Sequence, residues 1–159
     1  MVRLRPAEPG DAGLLFDWVN QPDSLAGKIQ TSGPIPWQVH QAWFARSLSD
    51  DATTIWIIEV DGRPAGQVRI SRNDDWNDVD IYLAAAYRGH GLAQAALAAV
   101  VECVRHRTGR ALRLRALVKP GNTMSQKLFE RAGFDRQTSA PDHVAYVLTN
   151  GSGGLEEWK

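Results

Sequence analysis

Covalent and bulk-charge devices are scarce in this sequence. A single cysteine, Cys103, excludes an intrachain disulfide. It lies in an alanine-rich helical pattern and reads as a small packed side chain, not a nucleophile. Net charge is absent, with 18 Lys+Arg against 18 Asp+Glu. The chain therefore lacks the broad positive surface that nucleic acid or an anionic membrane attracts. No apolar run approaches membrane-spanning length, and the N-terminus has no signal-peptide apolar region. The expected setting is the cytoplasm, with no nucleic-acid or membrane partner and no metal. A complete G-x-G-x-x-G is also missing, which disfavours a dinucleotide site of the Rossmann kind.

What is present centres on the stretch Val79–Val104, VDIYLAAAYRGHGLAQAALAAVVECV. Val79, Ile81 and Leu83 alternate with Asp78, Asp80 and Tyr82, the two-residue period of a strand. Leu92, Ala96, Val100 and Val104 then recur at helical spacing among alanines, the best helix formers. Gly89 and Gly91 stand at the junction, where a missing Cβ leaves backbone N–H groups open to a ligand. The first turn of a helix offers unpaired N–H donors and a positive dipole end, a setting for phosphate. Arg88 adds a fixed charge.

A second segment, Asn122-Thr-Met-Ser-Gln-Lys-Leu-Phe-Glu-Arg-Ala-Gly-Phe134, follows the apolar run Leu112–Val118. Together the two segments resemble the GNAT superfamily of acyl-CoA-dependent N-acyltransferases. Arg88-Gly89-His90-Gly91-Leu92-Ala93 matches its acetyl-CoA signature, Q/R-x-x-G-x-G/A, and N-x-x-S…L-F-E-R-A-G-F matches its second cofactor segment. The resemblance covers essentially the whole chain. It implies an α+β (mixed α/β) fold: a central mixed, mostly antiparallel sheet of about seven strands with four flanking helices. The fourth and fifth strands splay apart to admit the pantetheine arm of coenzyme A.

Taken in order, Val2–Pro6 reads as a strand. Asp11 is the expected N-cap of a helix running to Asn20. Gln21–Pro36, with prolines 22, 34 and 36, reads as mostly loop, a length usually tied to function. A helix over Trp37–Leu48 follows. Thr53–Val60 and Pro64–Ser71 form a hairpin about Asp61-Gly62. A polar turn over Asn73–Trp76 leads to the Val79 strand. After the long helix come the strand Leu112–Val118, a helix over Thr123–Ala132, and strands near Phe134–Gln137 and His143–Leu148. Residues 1–150 read as one domain, and 151–159, opening GSGG, as a mobile tail.

The reaction implied by the resemblance is attack of an amine on the thioester of acetyl-CoA, with no metal. The diphosphate must be held, the amine must be neutral, and the oxyanion and leaving thiolate must be stabilised. Backbone N–H groups of Gly89, His90, Gly91, Leu92 and Ala93, with the Arg88 side chain, are the expected cradle. The resemblance assigns pantetheine hydrogen bonds to the Leu83 backbone and cofactor contacts to Asn122 and Ser125. Asn122 also suits a helix N-cap. Asp78 and Asp80 share the polar face of their strand, and either is a candidate base acting through water. His40 is the other candidate, with an imidazole titrating near ~6.5 when unperturbed. It fits a satisfied structural histidine as well. Phe129, in the second cofactor segment, stands where many members carry a proton-donating tyrosine, and it has no proton to give. Tyr82, Ser125 or water would serve instead, or the thiolate leaves unaided, since a free thiol has a pKa of about 8.5.

The acceptor is expected between the first two helices and the sheet, at Trp18, Asn20, His40, Trp43 and Arg69. Aromatic planes with a few polar groups suit a sugar or a base, although Trp43 fits a packed core position too. W-x-N-x-P (Trp18–Pro22), H-x-x-W-F (His40–Phe44) and G-Q-V-R-I (Gly66–Ile70) narrow the resemblance to N-acetyltransferases of UDP-4-amino sugars in pseudaminic acid biosynthesis. The expected partner is a small-molecule amine, the chain being a monomer or homodimer. Acetylation of a protein or peptide terminus and a non-catalytic acyl-CoA-binding module are the alternatives. An open acidic groove would favour the first, and the missing tyrosine favours the second.

Overall fold

A computed structural model describes residues 1–27, 33–108 and 112–149. Its elements run β1 (Val2–Pro6), α1 (Ala12–Val19), α2 (Pro22–Gly27), α3 (Trp37–Ser49), β2 (Thr53–Val60), β3 (Arg63–Asn73), β4 (Trp76–Leu83), α4 (Leu92–Thr108), β5 (Arg113–Val118), α5 (Thr123–Arg131), β6 (Asp135–Ser139) and β7 (Val144–Thr149). One seven-stranded sheet has the order β1-β2-β3-β4-β5-β7-β6. Every pairing is antiparallel except β4 with β5. This is the mixed sheet expected from the sequence, with four long helices and the short α2 around it. None of the described helices is long and apolar enough to cross a membrane.

The sheet is covered on both faces, and strand alternation decides what goes where. Val68, Ile70, Val79, Leu83, Leu114, Ala116 and Tyr146 pack with Ala96, Leu97 and Val100 of α4 and Phe129 of α5. On the other face Ile55 and Ile57 meet Leu15 and Trp18 of α1 and Phe44 of α3. Strand β2 is apolar at successive positions because it feeds both cores: Trp56 and Ile58 go one way, Ile55 and Ile57 the other. Each fully buried Leu, Ile or Val contributes about 1.5–3 kcal/mol. The β2–β3 hairpin turns at Asp61 and Gly62, both at positive φ (50° and 81°), as a two-residue primed turn requires.

One expectation is refined and one corrected. Gln21–Pro36, expected to be mostly loop, holds one short helix, α2, which begins at Pro22, whose fixed φ suits the first helical position. Within it residues 28–32 lie outside the described residues, as does the tail 151–159. Asp11 precedes α1 but makes no side-chain cap. Its carboxylate instead takes two hydrogen bonds from the Arg5 guanidinium, both 2.9 Å, and one from the Glu8 N–H at 2.8 Å. A bidentate guanidinium outcompetes a single capping N–H for those lone pairs.

Candidate active site

Strands β4 and β5 share only two rungs, Asn77 with Leu114 and Asp78 with Arg115. Beyond them the strands part, and Val79–Leu83 on one side and Ala116–Val118 on the other wall a cavity of about 550 Å³. The parted strands leave backbone edges that an extended arm can pair with, the usual appetite of an unpaired edge.

At one end of the cavity a 3-10 turn, Ala85–Tyr87, leads into Arg88 and the glycines. Gly89 and Gly91 have φ of 83° and 74°, a region an L side chain enters at a cost of about 1–2 kcal/mol. Among the described residues nothing accepts a hydrogen bond from the N–H groups of Gly89–Ala93; the first amide engaged is Ala95, bonded to the Gly91 carbonyl at 3.1 Å. With Gln94, six adjacent donors at the positive end of α4 thus lack a partner among the described residues. A diphosphate fits their charge and number. Gly89, Gly91, Leu92 and Ala93 line the cavity, while His90 is exposed and outside its wall.

Arg88 does not reach for those amides. Its Nε donates to the Leu83 carbonyl at 2.7 Å, a terminal nitrogen forms an ion pair with Asp23 of α2, and its guanidinium carbon lies 5.4 Å from the Tyr82 ring centre. On the far wall Asn122 caps α5 by accepting from the Ser125 N–H at 3.2 Å, and both residues line the cavity. Phe129 is 3% exposed, its ring edge-on to Phe134 and stacked on Tyr146.

The two candidate carboxylates, alike in the sequence, are placed differently. Asp80 lines the cavity, 3.5 Å from Arg69, which in turn lies over the Trp43 ring at 5.2 Å. Asp78 is outside the wall, held by Arg115 Nε at 2.7 Å and a terminal Arg115 nitrogen at 3.0 Å. Tyr82 shares the Asp80 face, packs with the Trp18 side of the core and places its hydroxyl 3.5 Å from Asp23. Burial first, then the Asp23 charge, pushes that hydroxyl above its usual pKa, so it keeps its proton at neutral pH.

Of the expected acceptor residues, Trp18, His40, Trp43 and Arg69 line the cavity. His40 is 3% exposed, stacks on Phe44, and its Nε2 is 3.0 Å from the Ala12 carbonyl. Burial lowers its pKa against the opposing pull of that carbonyl, and the neutral ring ties α3 to α1. Asn20 is outside the wall and clamps Ile35, accepting from its N–H at 2.7 Å and donating to its carbonyl at 3.0 Å. Gln67 and Asp23 are among the lining residues that the sequence did not single out. Gln67 shares the face of Arg69, two positions along β3, and alternation would have found it. Asp23 sits in the first turn of α2, inside a segment read as loop.

An acetyltransferase (GNAT) domain family matches residues 2–135. No curated protein matches the chain significantly by sequence. Several solved structures share the fold. The aminoglycoside acetyltransferase AAC(6')-Ib, in complex with paromomycin and acetyl-CoA, superposes with a TM-score of 0.81 at 21% identity, covering 94% of this chain and 93% of that one. The spermidine N-acetyltransferase of Vibrio cholerae, with CoA and spermine bound, gives 0.81 at 13% identity over 94% and 96%. A GNAT-family acetyltransferase of Streptococcus pneumoniae gives 0.72 at 20% identity over 94% and 99%. At such identities the likeness speaks for the fold. With the parted strands, the glycine junction and the match over most of its length, the chain belongs to the acetyltransferase (GNAT) family, the acyl-CoA-dependent N-acetyltransferases.

Proposed function

We propose that residues 1–150 work as one domain that moves an acetyl group from acetyl-CoA to the primary amine of a nucleotide-linked amino sugar. The observation that carries the reading is continuity: one cavity joins the unengaged amides of the glycine junction to Asp80 and Tyr82. Those amides bind the diphosphate, and the edges of β4 and β5 align the arm. Asp80 takes the proton of the incoming ammonium through water. Tyr82, which retains its proton, offers one to the leaving thiolate in place of the hydroxyl that Phe129 lacks.

Charge on the acceptor side favours an amino sugar over a polycation. Both carboxylates that line the cavity among the described residues, Asp23 and Asp80, are paired with arginines. That differs from the open acidic groove a peptide or polyamine would call for. Trp43 under Arg69 presents an aromatic plane and a guanidinium together, which suits a base and its phosphates.

The test is release of free thiol from acetyl-CoA across amino sugars, nucleotide-linked amino sugars, polyamines and peptides. Turnover on the nucleotide-linked amino sugars, with little on polyamines or peptides, supports the reading. Preference for a peptide terminus replaces it. Tight coenzyme A binding with no turnover on any amine makes the chain a binding module.

A further inference from the structure

The two carboxylates of the cavity are masked differently. Asp80 and Arg69 both stand on paired strands, and Arg69 is braced over Trp43. Asp23 comes from the six-residue α2 and its partner Arg88 from the loop leading to the glycines. Arg88 immediately precedes a run of amides that no described residue engages. A diphosphate bound by those amides would bring negative charge to the residues next to Arg88 in the chain, whose guanidinium is at present held by the Leu83 carbonyl and by a carboxylate 43% exposed. Guanidinium binds phosphate oxygens bidentately, whereas a half-exposed pair with a carboxylate is weak. Arg88 is therefore contested by two anions, and the structure shows the arrangement in which Asp23 holds it.

Release of Arg88 has a consequence for the acceptor. Among the described residues, Asp23 would be left with the Tyr82 hydroxyl 3.5 Å away, on the cavity wall. A carboxylate without a cation beside a hydroxyl is a receptor for an ammonium group or a sugar hydroxyl.

We propose that Asp23 is an acceptor-anchoring residue masked by Arg88, and that the diphosphate of coenzyme A unmasks it by taking the guanidinium. This rests on the acetyl-CoA reading above. It makes the two ligands cooperative: coenzyme A strengthens acceptor binding, and by linkage the acceptor strengthens coenzyme A binding by the same factor.

The proposal is tested with the full chain and its Asp23→Asn and Asp23→Glu variants, by calorimetric titration with coenzyme A. Removing the competing charge in Asp23→Asn should tighten coenzyme A binding about two- to fivefold, the range expected for a partly exposed ion pair. Asp23→Glu, which keeps the charge, should stay near the wild-type affinity. With a UDP-linked 4-amino sugar as acceptor, Asp23→Asn should raise the acceptor KM about tenfold and change kcat less. A tether that merely held α2 in place would give unchanged or weaker coenzyme A binding in Asp23→Asn, and that result overturns the proposal while leaving the acetyl-CoA reading intact. Wild-type protein that fails to bind coenzyme A overturns both. Far-UV circular dichroism shows that the variants compared are folded.

Discussion

Arg115 grips Asp78 through two hydrogen bonds, 2.7 and 3.0 Å long, on the last rung that β4 and β5 share. The pair sits at the vertex of the parted strands. It closes one end of the opening while leaving Val79–Leu83 unpaired toward β5. Asp78 is thus part of the frame, and Asp80, two residues on, is the carboxylate that lines the cavity and the one proposed as base.

Replacing Asp78 with Asn should cost stability before it costs chemistry. Both side chains are about three-quarters buried (23% and 26% exposed), and breaking such a charged pair costs about 1–3 kcal/mol. For a chain of this size each kcal/mol is worth about 2–4 °C. A melting curve should shift down by several degrees, with kcat per folded molecule little changed.

Asp80→Asn should show the reverse pattern. Its side chain is 43% exposed, so stability should move by no more than about 0.5 kcal/mol. Loss of a general base should lower kcat about 10²–10⁴-fold. Steady-state thiol release beside a melting curve separates the two aspartates.

Gly91→Ala probes backbone conformation without steric conflict, since a Cβ there meets nothing within 4 Å while φ is 74°. The strain is about 1–2 kcal/mol. If the loop relaxes to escape it, the amides lose their common aim, and coenzyme A affinity should fall about tenfold, equivalent to 1.4 kcal/mol. Calorimetric titration reads this directly.

His40 should make the fold sensitive to mild acid. Burial holds its folded-state pKa below the usual value, so the unfolded chain binds more protons as pH falls through about 6.5 and below. Its stabilising effect is complete above that value and is lost as pH drops toward the folded-state pKa. Thermal melts across pH 7.5–5 should decline, and His40→Phe, though less stable at neutral pH, should show a shallower decline.

Local pattern was enough for most elements. Val2–Pro6 and Thr53–Val60 are bounded as the alternation and turn residues demand, and Asp61-Gly62 has the two positive φ values its turn chemistry foretells. The junction at Gly89 and Gly91 was legible because its chemistry lies within a few consecutive residues. What stayed hidden depends on partners distant in sequence. Alternation puts Asp78 and Asp80 on one face, but nothing local reveals that Arg115 claims the first and Arg69 approaches the second. Arg5 likewise takes Asp11 from its expected cap. Three prolines obscured α2, and with it the place of Asp23 beside Arg88.

Whether the amides of the glycine junction hold the diphosphate of coenzyme A is read by titrating ¹⁵N-labelled protein with coenzyme A and following the backbone amide resonances. Gly89, His90, Gly91, Leu92 and Ala93 should shift together and saturate with the binding isotherm. Saturable coenzyme A binding that leaves those five resonances unmoved would contradict that role.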